Sequence, residues 1–133
     1  MIKVNRLNKY YNKGKNNEIH VINETSIELP SCGFVSFLGH SGSGKTTLLN
    51  VLGGLDKASG SIQYDEKTFS KYSMRQMDAF RSKHIGYVFQ NYNLLLDETV
   101  YDNLKIALDI IGVTDSEEAD RRIEYTLKAV GMY

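Results

Sequence analysis

Between residues 39 and 47 the chain reads GHSGSGKTT, a set of residue types and spacings suited to holding phosphate. Gly39, Gly44, Lys45 and Thr46 satisfy the pattern G-x-x-x-x-G-K-[ST], with Gly42 between them. Glycines let the backbone wrap with its N–H groups turned inward, where a side chain would obstruct the approach of an anion. Lys45 is expected to reach the β- and γ-phosphates as a point charge, and Thr46 to offer its hydroxyl to Mg²⁺. Ser41 and Ser43 are expected to donate hydrogen bonds at the rim. Thr47 carries a second hydroxyl that serves either the α-phosphate or the packed side of the following helix. His40 falls at a variable position of the pattern and reads as an exposed loop residue.

Such a loop works only between a strand and a helix, and the flanking sequence predicts both. GFVSFL at 33 to 38 is a short apolar strand leading into it. From Lys45 onward Leu48, Leu49, Val51, Leu52 and Leu55 fall at helical spacing, with Gly53 and Gly54 as the stop. The start of this helix would add its unsatisfied N–H groups and the positive end of its dipole to the loop.

Upstream, IKVNRLNKYY places apolar residues at Ile2 and Val4, then slips to Leu7, which suits a half-buried edge strand. IHVINETSIEL predicts a second strand with Ile27 and Leu29 inward. Downstream, GSIQYD at 60 to 65 and IGYVF at 85 to 89 read as strands, and residues 73 to 83 as a polar helix. TVYDNLKIALDII predicts a helix capped by Thr99 with Asp102 closing the box, its stripe formed by Val100, Leu104, Leu108 and Ile111. A last helix is predicted to open with Thr114 and Glu117 in the same arrangement and to turn Ala119, Ile123, Leu127 and Val130 inward.

Composition narrows the partners. The 133 residues carry sixteen basic and sixteen acidic side chains, so there is no overall basic field of the kind that gathers nucleic acid. The basic run of Lys3, Arg6, Lys9, Lys13 and Lys15 reads chiefly as a solvated edge. The lone Cys32 excludes an internal disulfide, and no basic-then-apolar leader opens the chain, so a reducing, cytoplasmic setting is expected. No apolar run approaches the roughly 18 residues that a membrane span requires.

Taken together, NKYY, GHSGSGKTTLLNVLGGLDKASGSI and IGYVFQNYNLL resemble the ATPase subunit of ATP-binding cassette (ABC) transporters. Within that family the resemblance is to the branch serving macrolide and antimicrobial-peptide exporters and lipoprotein-releasing complexes. It implies an α/β phosphate-loop fold of ABC ATPase type, incomplete, with N-terminal antiparallel strands and the start of a helical subdomain. Residues 1–90 would be the β-subdomain and phosphate-loop part of the core, and residues 91–133 the Q-loop and the start of the helical subdomain.

The resemblance also implies ATP and Mg²⁺ as ligands, with Tyr11 stacking on adenine and Tyr10 as the fallback in register. It makes Lys45 and Gln90 the residues nearest the chemistry, with Thr46 and Gln90 near the metal. It further implies a transmembrane permease partner at the inner face of the membrane, met by residues 91 to 96, and a second ATPase subunit. From the residues alone, either tyrosine also reads as an edge-strand aromatic. Gln90 is a polar residue following a buried strand, where ligands gather in open α/β sheets.

The family's signature LSGGQ, its strand ending in Asp-Glu and its later His do not occur in residues 1 to 133. Hydrolysis needs such a carboxylate for Mg²⁺ and a group to orient the nucleophile. Asp56, Asp65 and Asp97 each have an ordinary turn or cap role and are not assigned in their place. The chain is therefore expected to be the N-terminal part of such a subunit, with apolar surface left uncovered beside GFVSFL. Two readings follow: the ATP-binding part of a transport ATPase, or a non-catalytic nucleotide-binding and assembly module. A GTPase or small-molecule kinase fits less well, because no Asn-Lys-x-Asp segment is present and two strands precede the loop.

Overall fold

The computed structural model describes residues 1–69 and 71–133. The chain divides into two compact units, Met1–Arg81 and Ser82–Tyr133.

The first unit is built on an antiparallel sheet of β1 (Ile2–Tyr11), β2 (Ile19–Leu29), β3 (Ser59–Tyr64) and β4 (Lys67–Thr68), in the order β2-β1-β3-β4. β1 therefore lies inside the sheet and is not the edge strand its alternating pattern suggests. The strand that covers its second side, β3, lies some fifty residues further along the chain, beyond the reach of any local pattern.

The slip from Val4 to Leu7 has a structural cause. Val4 pairs with Ile27 and Leu7 with Thr25, so β1 carries one extra residue, and Arg6 takes a left-handed φ of 48° to absorb it. The bulge keeps both Val4 and Leu7 buried although they are three residues apart. β2 answers with its own extra residue between Thr25 and Ile22, where Glu24 has φ 38°, and Arg6 pairs with Glu24 across the two bulges at 3.4 Å. β3 accommodates the same bulge with Gly60, whose φ is 100° and whose place leaves only 2.5 Å between a hypothetical Cβ and the Arg6 carbonyl oxygen. Ile22 is buried, whereas Ile27 and Leu29 are only half-buried.

α1 (Lys45–Leu52) buries Val51 and Leu52 and ends at Gly53, while Leu49 and Leu55 of the expected stripe stay exposed. α2 (Met74–His84) contributes Phe80 to a ring cluster with Tyr64, Phe69 and Tyr72, with ring centroids 5.1 to 6.0 Å apart. Tyr64 closes this cluster by donating its hydroxyl to the Leu52 carbonyl at the end of α1. Burial pushes its phenol up to about 12.

In the second unit, α3 (Val100–Ile110) begins with the expected capping box of Thr99 and Asp102. α4 (Ser116–Ala129) starts one residue later than expected: Asp115 is the cap and accepts from the Glu118 N–H. An Asp carboxylate is an effective cap, and it displaces Thr114 from that role. Tyr101 of α3 donates to Asp120 of α4 at 2.6 Å, and Ala119 and Ile123 are buried. Val100, Ile111 and Val130 remain exposed.

The two segments expected as strands, 33 to 38 and 85 to 89, form no ladder among the described residues. A strand exists through its neighbours' N–H and C=O groups, and neither segment has a ladder partner among the described residues. Their side chains lie bare in consequence: Phe34 and Leu38 are each 92% exposed and Val88 is 94% exposed.

Candidate functional site

The phosphate-type loop lies in the first unit. Gly42 and Gly44 take left-handed φ values of 78° and 89°, which fold residues 40 to 44 into a tight turn closed by a hydrogen bond from the Ser43 N–H to the His40 carbonyl at 3.2 Å. At Gly39 a Cβ would come within 2.6 Å of the Ser43 hydroxyl oxygen, so the two ends of the turn approach each other closely there.

Gly44 is the N-cap of α1 and supplies no side-chain acceptor. The first helical bond runs from the Leu48 N–H to the Gly44 carbonyl at 2.8 Å, so the N–H groups of residues 45 to 47 have no intrahelical acceptor. No acidic residue stands in the first turn to neutralise the helix dipole. The Lys45 ammonium is gathered by the loop itself, donating to the carbonyls of Gly39 at 2.8 Å and His40 at 2.6 Å and to the Ser43 hydroxyl at 3.1 Å. The exposed Thr46 hydroxyl takes part in no hydrogen bond among the described residues. Bare N–H groups, a cation and a free hydroxyl at one helix start fit an anion of the triphosphate class together with its cation. Among the described residues no group of three or more His, Cys, Asp or Glu forms a protein-only metal site. Mg²⁺ commonly takes few protein ligands alongside phosphate oxygens.

Tyr11 ends β1 and reaches this helix start. Its hydroxyl lies 3.4 Å from the Thr47 hydroxyl and donates to Asp56 at 3.4 Å, and the residue is 39% exposed. Tyr10 is engaged elsewhere: its ring stacks on His20 with centroids 3.9 Å apart and planes 9° apart, and the Lys13 ammonium lies 4.9 Å from its centroid. Ser41 and Gly42 lie exposed at the tip of the loop, as does His40.

Asp56 and Lys9, neither singled out as site residues by their sequence context, join this group. Lys9 donates to Asp56 at 2.6 Å and to the Lys57 carbonyl at 2.8 Å. Burial works to raise the Asp56 pKa. The Lys9 hydrogen bond, the Lys57 N–H and the Lys9 charge outweigh it and hold the carboxyl below its ordinary value. The only sequence signal was that Lys9 and Tyr11, two apart on a strand, share a face.

A cavity of about 350 Å³ opens beside Lys45, but Val21, Ile22, Phe37, Leu38 and Leu48 make its walls mostly apolar. It suits packed side chains better than phosphate.

Gln90 belongs to the second unit, exposed in a turn that continues through Tyr92 and Asn93, both at positive φ. After this turn, Asn103 of α3 grips the backbone of Leu95. Its side-chain amide donates to the Leu95 carbonyl at 3.0 Å, and its oxygen accepts the Leu95 N–H at 2.9 Å. Leu94, Leu95 and Leu96 are held outward, Leu96 at 90% exposure.

Residues 22–133 match the family profile described as ABC transporter. The chain belongs to the ABC transporter family. The macrolide export ATP-binding/permease protein MacB of Mannheimia succiniciproducens is 37% identical over 133 residues, covering 99% of this chain and 20% of that protein. The bacitracin export ATP-binding protein BceA of Halalkalibacterium halodurans is 38% identical over 120 residues, covering 90% of this chain and 47% of that protein. The methionine import ATP-binding protein MetN of Clostridioides difficile is 36% identical, covering 99% of this chain and 39% of that protein. This ABC chain thus spans about a fifth to a half of the length of these relatives. Exporters and an importer match at nearly the same identity, so the likeness is to the cassette and not to a direction of transport.

A solved dimeric structure of the ATP-binding cassette MJ0796, bound to ADP and Pi, superposes with a TM-score of 0.86 at 31% identity, covering 96% of this chain and 56% of that one. The fold is accordingly the α/β phosphate-loop fold of ABC ATPases, with an N-terminal antiparallel sheet and a helical subdomain. Among the described residues no helix is long and apolar enough to cross a membrane.

Proposed function

We propose that this chain binds Mg-ATP as the nucleotide-holding part of an ABC transporter ATPase, and that it serves a transmembrane permease in the export or release of a substrate. The observation that carries the reading is the start of α1: three N–H groups without an intrahelical acceptor, no first-turn acid, and the Lys45 ammonium held by the loop. Gly39 to Thr47 would hold the phosphates, Lys45 the β- and γ-phosphates, and Thr46 the Mg²⁺, with Tyr11 under the base. Mg²⁺, when bound, would neutralise charge on the phosphate oxygens. Lys45 must exchange its bonds to Gly39, His40 and Ser43 for bonds to phosphate, so binding and a small opening of the loop go together. Gln90 would stand near the metal and sense the permease partner. Asn91 to Leu96, backed by Asn103, would meet that partner at the inner face of the membrane, and a second ATPase subunit would complete the assembly.

Residues 1 to 133 contain neither the LSGGQ signature nor an apolar strand ending in Asp-Glu, and this favours binding without turnover by the chain alone. Electrostatic stabilisation of phosphoryl transfer depends on donors and carboxylates fixed in place beforehand. Calorimetric titration with Mg-ATP, paired with a phosphate-release assay, tests both parts. Saturable binding that Lys45→Ala weakens, with no release above background, is the expected result. Equal affinity in wild type and Lys45→Ala would refute the assignment of the loop. Robust Mg-dependent release abolished by Lys45→Ala would refute the non-catalytic part.

A further inference from the structure

Asp56 lies in the loop after α1, and both of its carboxylate oxygens are committed. One accepts from the Lys9 ammonium at 2.6 Å and from the Lys57 N–H at 2.7 Å; the other accepts from the Tyr11 hydroxyl at 3.4 Å. The Lys9 side chain is only 13% exposed and that of Asp56 32%, so this is not a loosely solvated surface pair. The Lys9 ammonium also lies 5.1 Å from the centroid of the Tyr11 ring, within cation–π range. Tyr11 is therefore held at its hydroxyl by Asp56 and at its ring by Lys9, and its hydroxyl also lies 3.4 Å from Thr47 in the first turn of α1.

We propose that Lys9 and Asp56 are a positioning pair that fixes the plane of Tyr11 against the start of α1, so that adenine meets a pre-set aromatic surface. The inference rests on the proposed ATP-binding reading and deepens it. A half-exposed tyrosine at a strand end would otherwise turn about its side-chain bonds and would have to be ordered by the ligand. Ordering one such side chain weakens binding by about two- to twelve-fold. The pair moves that cost from the binding step to folding. Its contribution belongs to the base and not to the phosphates, because neither Lys9 nor Asp56 bonds to any residue from Gly39 to Thr47 among the described residues.

The test compares two ligands on the full 133-residue chain, Mg-ATP and Mg-tripolyphosphate, by calorimetric titration. Asp56→Asn and Lys9→Met are each expected to weaken ATP binding by about two- to twelve-fold while leaving tripolyphosphate affinity within a factor of two. Lys9→Arg, which keeps a cation over the ring, should stay close to wild type. In a Tyr11→Ala background, Asp56→Asn should have no further effect on ATP. Equal weakening of both ligands, or an undiminished effect of Asp56→Asn when Tyr11 is already absent, would overturn the positioning role and leave a general structural one. If wild type bound neither ligand, the ATP-binding reading itself would fall and this inference with it. If wild type bound both equally and Tyr11→Ala changed nothing, only the adenine surface and its positioning pair would fall. Should Asp56→Asn fail to fold, Lys9→Met and Lys9→Arg carry the same comparison.

Discussion

Replacing Gly44 by alanine should be more damaging than replacing Gly42, although both glycines sit in the same loop with similar backbone angles. Gly42 has φ 78° and Gly44 has φ 89°, so an alanine at either position bears the left-handed cost of about 1–2 kcal/mol. Around Gly42 a new Cβ meets nothing within 4 Å. At Gly44 it would lie 3.0 Å from Val21 Cγ1 and 3.2 Å from the Val21 carbonyl oxygen. The valine methyl can yield by leaving its rotamer, at about 0.5–1.5 kcal/mol, but the carbonyl belongs to β2 and is not free to move. The gain from restricting the unfolded chain applies to both substitutions and cancels in the comparison. Gly44→Ala should therefore cost about 1 kcal/mol more than Gly42→Ala, whether the loss appears as a lower urea midpoint or, if the loop shifts to relieve the contact, as roughly five-fold weaker Mg-ATP binding. Both readouts are needed, since the two responses exchange with each other. Equal losses in the two variants, or a larger loss in Gly42→Ala, would show that the approach of Gly44 to β2 does not constrain the loop.

Lys45→Ala should weaken Mg-ATP binding by about 1.5–3 kcal/mol, roughly ten- to 150-fold in a calorimetric titration, the range for a charge-assisted hydrogen bond. The Tyr64 phenol, raised to about 12 from 10, contributes stability that is fully present below pH 10 and lost as pH rises through 12. After allowance for its partial exposure the loss is about 1–2 kcal/mol, and urea midpoints of Tyr64→Phe should lack that step. Asn103→Ala should speed amide exchange at Leu95, whose N–H it otherwise shields, and unchanged protection there would refute the grip described above. Leu7→Ala, at a fully buried bulge position, should destabilise the first unit by about 2–5 kcal/mol in urea titration.

The features legible in the sequence are those whose physics is confined to a few neighbouring residues. Glycines at 42 and 44 meet a need for left-handed backbone within one turn, and the Gly44-Lys45-Thr46 run marks the start of α1 to the residue. The Thr99–Asp102 box spans a single helical turn, and Gly53 stops a helix whose last residue is Leu52. Even the bulge left a trace, because burying both Val4 and Leu7 breaks the two-residue period. The choice between Thr114 and Asp115 as a cap was not legible, since both types can cap and only the local geometry decides.

The tertiary structure alone decided what depends on distant partners. It placed β1 inside the sheet, because β3 returns to pair with it, and it left GFVSFL and IGYVF without ladders, because an apolar run becomes a strand only beside another. It engaged Tyr10 with His20 and brought Tyr11 to Thr47 and Asp56. It turned Lys9 from one member of a basic run into the partner of a carboxylate 47 residues away. Turn and cap preferences are written into each residue and its immediate neighbours, whereas strand pairing and the Lys9–Asp56 contact arise only once the chain has closed on itself, and no periodicity in the sequence carries that information.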